Sequence, residues 1–221
     1  MTQDLWTFLH VLTFVYWLGA DLGVFYSSRF VVNADYTPET RAVALKILAW
    51  LDMAPRYALL LTLPVGLQLA HGAELSAIGG GWLLLAWLGS AAWISLVITI
   101  HRREGTAAGR RLGQIDLGLR FVLIAGLVVA AVLSFTGGAP FAADWLALKA
   151  LLFALAVTMG VGIRVTFAPF GPAFARLMTE GSSAEVEERM STALARAKPF
   201  VLVLWAIIAA AAFIGISQPG F

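Results

Sequence analysis

The sequence predicts an all-α integral membrane protein, a six-transmembrane-helix bundle with both termini on the non-cytoplasmic side. Three observations carry that expectation. Of 221 residues, 60% are hydrophobic and only 13% are charged, where a soluble domain would carry about 25%. Six apolar runs approach the roughly 20 residues that cross a hydrocarbon core as helix. They are continuous and lack the alternating ten-residue segments of a membrane barrel. Finally, 14 of the 15 Lys and Arg fall on one side of six such crossings, and the positive-inside rule makes that side cytoplasmic.

The first span, about residues 5–28, contains FLHVLTFVYWLGADLGV. His10, Trp17, Asp21 and Ser28 are spaced by sevens and four, which aligns them on one face of a helix. That polar stripe must point into the bundle, because an ionisable group facing lipid costs a few kcal/mol. Upstream, MTQDLW has no basic n-region, so this run is expected to be a retained helix and not a signal peptide.

The second span, about 46–71, begins at the basic side with Asp52 and Arg56, four apart with acid before base, as a helix-face ion pair requires. It ends at His71. The third, about 80–101, follows the turn Gly79-Gly80-Gly81 and ends in His101, an interfacial residue. The fourth, about 118–137, has Asp116 and Arg120 at its basic end, again four apart.

The fifth span, about 144–166, opens with Trp145 and Lys149 and carries Met159 deeper down. Lys149 is the one basic residue on the outward side. It either snorkels to the interface or pairs with an anion. The loop of about 167–197 is broken by Pro169, Gly171 and Pro172, and Ser182-x-x-Glu185 reads as a capping box for a cytoplasmic helical extension into the sixth span, about 198–217. The whole chain, 1–221, is one transmembrane domain. A weak internal repeat relates hairpin 1–2 to hairpin 5–6, with Trp6-x3-His10 matching Trp145-x3-Lys149.

The absence of cysteine excludes disulfides, thiolate metal sites and covalent c-type haem attachment. A cofactor would have to be held by His, Met, Lys or Arg. His10 is the hardest polar residue to excuse structurally: a buried imidazole serves as a packed core residue, a proton carrier, a copper ligand or a haem ligand. His71 ends its span on the same side, so His10 and His71 together form a candidate metal pair, with Lys149 near them as a partner for a propionate or an anionic substrate. Trp17 is a candidate cofactor wall. Asp21 is expected to pair with an arginine nearer the cytoplasm and is, with Lys149, a candidate catalytic residue. No phosphate-binding, zincin or Ser-His-Asp signature is present.

These residues resemble a known family. His10 followed by Trp17, Gly19, Ala20 and a closing Arg29-Phe30 is similar to the first helix of HemJ-type protoporphyrinogen IX oxidases and the related copper-resistance D membrane domains. Met53-Ala54-Pro55 with Gly66-Leu67 resembles that family's second helix, Trp145 with Lys149 its third, and the Pro199 entrance its fourth. Spans 3 and 4 stand as an insertion. The resemblance implies haem b bound through His10 and an activity-supporting Lys149; in a haem protein of this kind His71 or Met159 is the expected second axial group, and electrons are expected to pass between a small substrate and quinone. The family's further histidine has no counterpart, since Met159, Gly160 and Val161 occupy its region.

The function expected is therefore a haem-b-binding membrane oxidoreductase acting on a porphyrin-like or other small substrate. The alternative is a transporter or channel component for copper or a small anion. Expected partners are the lipid bilayer of a bacterial inner membrane and a small-molecule substrate or quinone. No nucleic acid is expected, and Gly160-x-Gly162 allows the close helix approach of a homo-oligomer.

Overall fold

The computed structural model describes residues 2–220, which form helices and turns with no β-sheet among the described residues. The helices are α1 Thr2–Val31, α2 Pro38–Leu51, α3 Met53–Gly72, α4 Gly80–Arg102, α5 Ala107–Phe135, α6 Asp144–Phe167, α7 Phe170–Glu180 and α8 Ala184–Ser217. Only Asp52 parts α2 from α3, and only Ala168 and Pro169 part α6 from α7. The chain thus makes six consecutive passes.

Successive passes are antiparallel. Along the first hairpin, Gln3 Nε2 donates to Leu69 O at 3.0 Å, the His10 ring lies against Gly66, Gly23 lies against Leu51, and Arg41 Nε donates to Val31 O at 2.8 Å. Along the last, Lys149 lies against Gly215 and Gly162 against Phe200. In order, α1, α3, α4, α5, α6 and α8 pack neighbour on neighbour, and α1 meets α8 to close the ring. Its centre is filled by Trp17, Met53, Leu59, Leu60, Val97, Val157, Leu204 and Ile207.

Five helical stretches are long and apolar enough to cross a membrane: Gln3–Val31, Gly80–Arg102, Ala107–Phe135, Asp144–Glu180 and Ala184–Ser217. The protein is accordingly an all-helical membrane protein. The expected second span does not hold as one helix over 46–71. Pro55 has no N–H to give Leu51 O, and its ring crowds that carbonyl, so the helix breaks at Asp52 and restarts with Pro55 in its first turn. The remaining α3 carries Arg56, Gln68 and His71, which dilute its apolar character.

Pro64 interrupts α3 again and leaves Leu60 O without its i+4 donor. Ser90 of α4 supplies one, its hydroxyl donating to Leu60 O at 2.6 Å. A buried carbonyl is thereby satisfied across the helix interface, which pins α4 to α3.

Two loop expectations need correction. The loop before the fourth span is only the turn 103–106, because Thr106 caps α5 by accepting from Gly109 N at 3.0 Å, and the helix starts a full ten residues before the apolar run. The residues expected as a cytoplasmic helical extension are indeed helical, as α7 and the first turns of α8. The cap is Ser183, one residue later than expected, accepting from Val186 N, while Ser182 Oγ donates to Glu187 Oε1 at 2.7 Å.

The two ends of the bundle are built differently. At the end bearing the basic residues, Arg41 is only 1% exposed, with both terminal nitrogens 2.8 Å from the Glu187 carboxylate and Nε on Val31 O. Four of the five N–H donors of this buried guanidinium find acceptors, the fourth being Met190 Sδ at 3.7 Å, and the paired carboxylate is what makes such a buried charge tolerable. Val31, Phe170, Phe174, Leu177, Val186 and Met190 pack around it. At the opposite end, which holds the start of α1 and the end of α8, two loops pair as extended backbone. Ala77 N donates to Pro140 O at 2.9 Å, and Ala142 N donates to Leu75 O at 3.0 Å. Phe141 is buried beneath them.

Candidate functional site

Below the basic end the ring encloses open space. A cavity of about 470 Å³ is lined by residues from every pass, with Trp17, Met53, Leu59, Val97, Ala156 and Leu204 as its apolar floor. Four acidic residues, Asp21, Asp52, Glu104 and Asp116, and four basic ones, Arg56, Arg120, Arg164 and Lys198, line its walls together with His101. The volume falls in the range of small-molecule sites, which lie roughly between 300 and 1,000 Å³.

Three polar contacts organise this region. Asp116, 5% exposed, accepts from Trp93 Nε1 at 2.8 Å through one oxygen, and from Arg120 Nε at 3.0 Å and Arg164 Nη1 at 2.9 Å through the other. One carboxylate therefore ties α4, α5 and α6. Arg164 Nη2 also donates to Gly113 O at 2.7 Å, and a Cβ at Gly113 would press on that nitrogen, so glycine makes room for the guanidinium. Across the ring, Arg56 Nε donates to Asp52 at 2.7 Å, the expected i,i+4 pair.

The third contact corrects an expectation. Asp21 accepts from Trp205 Nε1 of α8 at 2.6 Å, and among the described residues no basic side chain forms an ion pair with it. An arginine was expected because several lie nearer the basic end. Arg56, Arg120 and Arg164 are instead engaged by Asp52 and Asp116. The contact to Trp205 locks α1 to α8, and Phe25 meets the Trp205 ring edge-on at 5.1 Å.

The other sequence-predicted residues lie toward the opposite end. Trp17 closes the cavity floor and packs edge-on against Phe153 at 6.0 Å. His10 sits about 10 Å nearer the start of α1, at 1.5 Å per residue. Among the described residues its buried Nδ1 has no hydrogen-bond partner, and a Cβ at Gly66 would come within 3.1 Å of its Cε1. Between it and the cavity, Thr13 Oγ1 donates to His10 O at 2.8 Å. Lys149 stands over the Trp145 ring at 5.9 Å from its centroid and lies against Gly215.

His71 is turned away from this group. Five residues after Gly66 it points about 140° round α3, into the loop before α4, where its Nδ1 is 3.4 Å from Ser76 O and its ring lies against Gly79. Met159 packs into the central core. Among the described residues no group of three or more His, Asp or Glu is placed to hold a metal ion.

The repeat seen in the sequence has a structural echo. In each outer hairpin the polar residue one turn after a tryptophan, His10 or Lys149, lies against a glycine of the antiparallel partner, Gly66 or Gly215. Sequence reasoning treated Asp116 and its arginines as structural and missed Trp93 and Trp205 altogether. Neither tryptophan stands near its carboxylate in the chain, so no local spacing marks the pairing. Compared with known families, with curated proteins and with solved structures, the chain matches none.

Proposed function

We propose that the protein is a transport component of a bacterial inner membrane, which takes up a small charged solute into the basic-end cavity. In this reading the helices cross the bilayer six times, α3 included, with the basic end in the cytoplasm. The observation that carries it is the cavity itself: every pass contributes to its wall, its walls carry charged side chains of both signs, and it ends in an apolar floor. Charged side chains at membrane depth are costly unless they face water or a solute. Beyond the floor, Thr13 and His10 continue a sparse polar line along α1 toward the opposite end.

The test uses the natural absence of cysteine. Val201→Cys in the cavity wall should react with a membrane-impermeant maleimide from the cytoplasmic face of vesicles. Thr13→Cys should react from the opposite face, because transport requires the floor to open to that side. A Thr13→Cys protein that resists reagent from that face under all solute conditions argues for a blind pocket and against transport.

One observation favours a second reading, the haem b redox protein. His10 Nδ1 is buried without a hydrogen-bond partner among the described residues, as a nitrogen available to a metal would be, and Lys149 could pair with a propionate. His10 and Lys149 would hold the haem, which would supply the one-electron chemistry. His71 and Met159 face other surroundings, so His10 would be the sole axial side chain of the set. Protein purified with haem present should then show a Soret band that His10→Ala removes, and a colourless wild type refutes this reading.

A further inference from the structure

We propose that the solute of the basic-end cavity is a zwitterion of amino-acid size, with its cationic group on Asp21 and its anionic group on Arg120 and Arg164. This rests on the cavity being a solute site and names the class of solute.

The argument is one of charge left over after internal pairing. Asp52 and Arg56 neutralise each other. Asp116 faces two guanidiniums, Arg120 and Arg164, which leaves one positive charge on the wall made by α5 and α6. Asp21 has a neutral donor, Trp205, and no cation, which leaves one negative charge on the wall made by α1. In the order α1, α3, α4, α5, α6, α8, the helix directly across from α1 is α5. Glu104 and Lys198, the remaining charges of the lining, are exposed and screened by water, so the excess of Asp21 stands across the cavity from that of Arg120 and Arg164.

A purely anionic solute would satisfy the arginines and face Asp21 across the cavity. A purely cationic one would do the reverse. A zwitterion satisfies both walls without adding net charge to a low-dielectric space, where an unbalanced ion is expensive. The surroundings of each wall agree. Trp17 and Phe25 line the cavity beside Asp21 and offer aromatic surface to an ammonium group. Arg120, held on Asp116 through Nε, keeps its terminal nitrogens for a carboxylate or phosphate, while Arg164, held by Asp116 and Gly113 O, adds its charge to the same wall. The floor of Trp17, Met53, Leu59, Val97 and Leu204 would take an apolar side chain.

The test is a matched panel added to the full chain in detergent, with binding read by calorimetry. The panel is leucine, its deaminated analogue 4-methylpentanoate, its decarboxylated analogue 3-methylbutylamine, and 5-aminovalerate as a zwitterion with wider charge spacing. One of the two zwitterions should bind at least tenfold more tightly than both single-charge compounds. Asp21→Asn should erase the preference over 4-methylpentanoate, and Arg164→Gln the preference over 3-methylbutylamine. If 4-methylpentanoate or 3-methylbutylamine binds as tightly as the zwitterions, the cavity is a solute site and the zwitterion assignment is wrong. If none of the four binds, the assignment is likewise overturned, while accessibility of Val201→Cys and Thr13→Cys still decides the transport reading separately. The wild-type panel decides the matter even where a variant fails to fold.

Discussion

The two ends of this bundle deal with polar side chains in opposite ways. At the basic end charges are many, shared and mostly matched: Asp116 serves three donors on three helices, Asp52 holds Arg56, and Glu187 holds the buried Arg41. At the opposite end Lys149 and two histidines, His10 and His71, stand among apolar passes, and among the described residues His10 Nδ1 has no hydrogen-bond partner. A region rich in charge is stable here because each charge has a fixed counterpart. A region poor in charge carries the less satisfied group. Density of polar residues is thus a poor guide to where function lies, and what matters is what remains unmatched: Asp21 and the surplus arginine at one end, His10 at the other.

The sharpest way to break this contrast is Asp116→Ala. It strands Arg120 and Arg164 side by side, leaves Trp93 Nε1 without its acceptor, and unties α4, α5 and α6 together. Removing one member of a buried pair costs about 3–5 kcal/mol in soluble proteins. Because Arg164 is partly exposed, with 40% of its side chain accessible, about 3 kcal/mol is expected. Thermal unfolding in detergent should show a large fall in midpoint or failure to recover a monodisperse protein. A variant that melts like wild type would mean that the basic end is held by apolar packing alone.

What the sequence made legible follows from the range of the interactions concerned. The apolar runs, the i,i+4 pairs Asp52–Arg56 and Asp116–Arg120, and the turn at Gly79 depend on residues close in the chain, and each is found where spacing put it. Element boundaries near prolines were less legible. Pro55 sits within a run apolar enough to read as one span, yet the cost of its missing N–H breaks the helix at Asp52. The cavity was not legible. Its walls come from all six passes, and its key contacts, Asp21 with Trp205 and Asp116 with Arg164, join residues 184 and 48 apart. The polar stripe of α1 did point inward as expected, but it serves two places: Asp21 and Trp17 belong to the cavity, and His10 lies beyond its floor.

His10→Leu tests the quieter end, and its expected effect is the smallest. Leucine is close in volume and carries no polar atom. The wild-type ring buries Nδ1 without a hydrogen bond, a desolvation cost of about 1–3 kcal/mol that leucine does not incur. Gly66 limits the gain, because the imidazole lies flat against α3 where a branched chain must find room, and shape changes in packed interiors cost up to about 1.5 kcal/mol. The two effects nearly cancel, so the melting midpoint of the protein in detergent should stay level or rise slightly. A clear fall would mean that the imidazole is stabilised by something it holds, since the side chains around it supply no bond to lose. In that case the unmatched nitrogen is a ligand, the haem reading gains over the transport reading, and the contrast between a satisfied end and an unsatisfied one disappears once the bound group is counted.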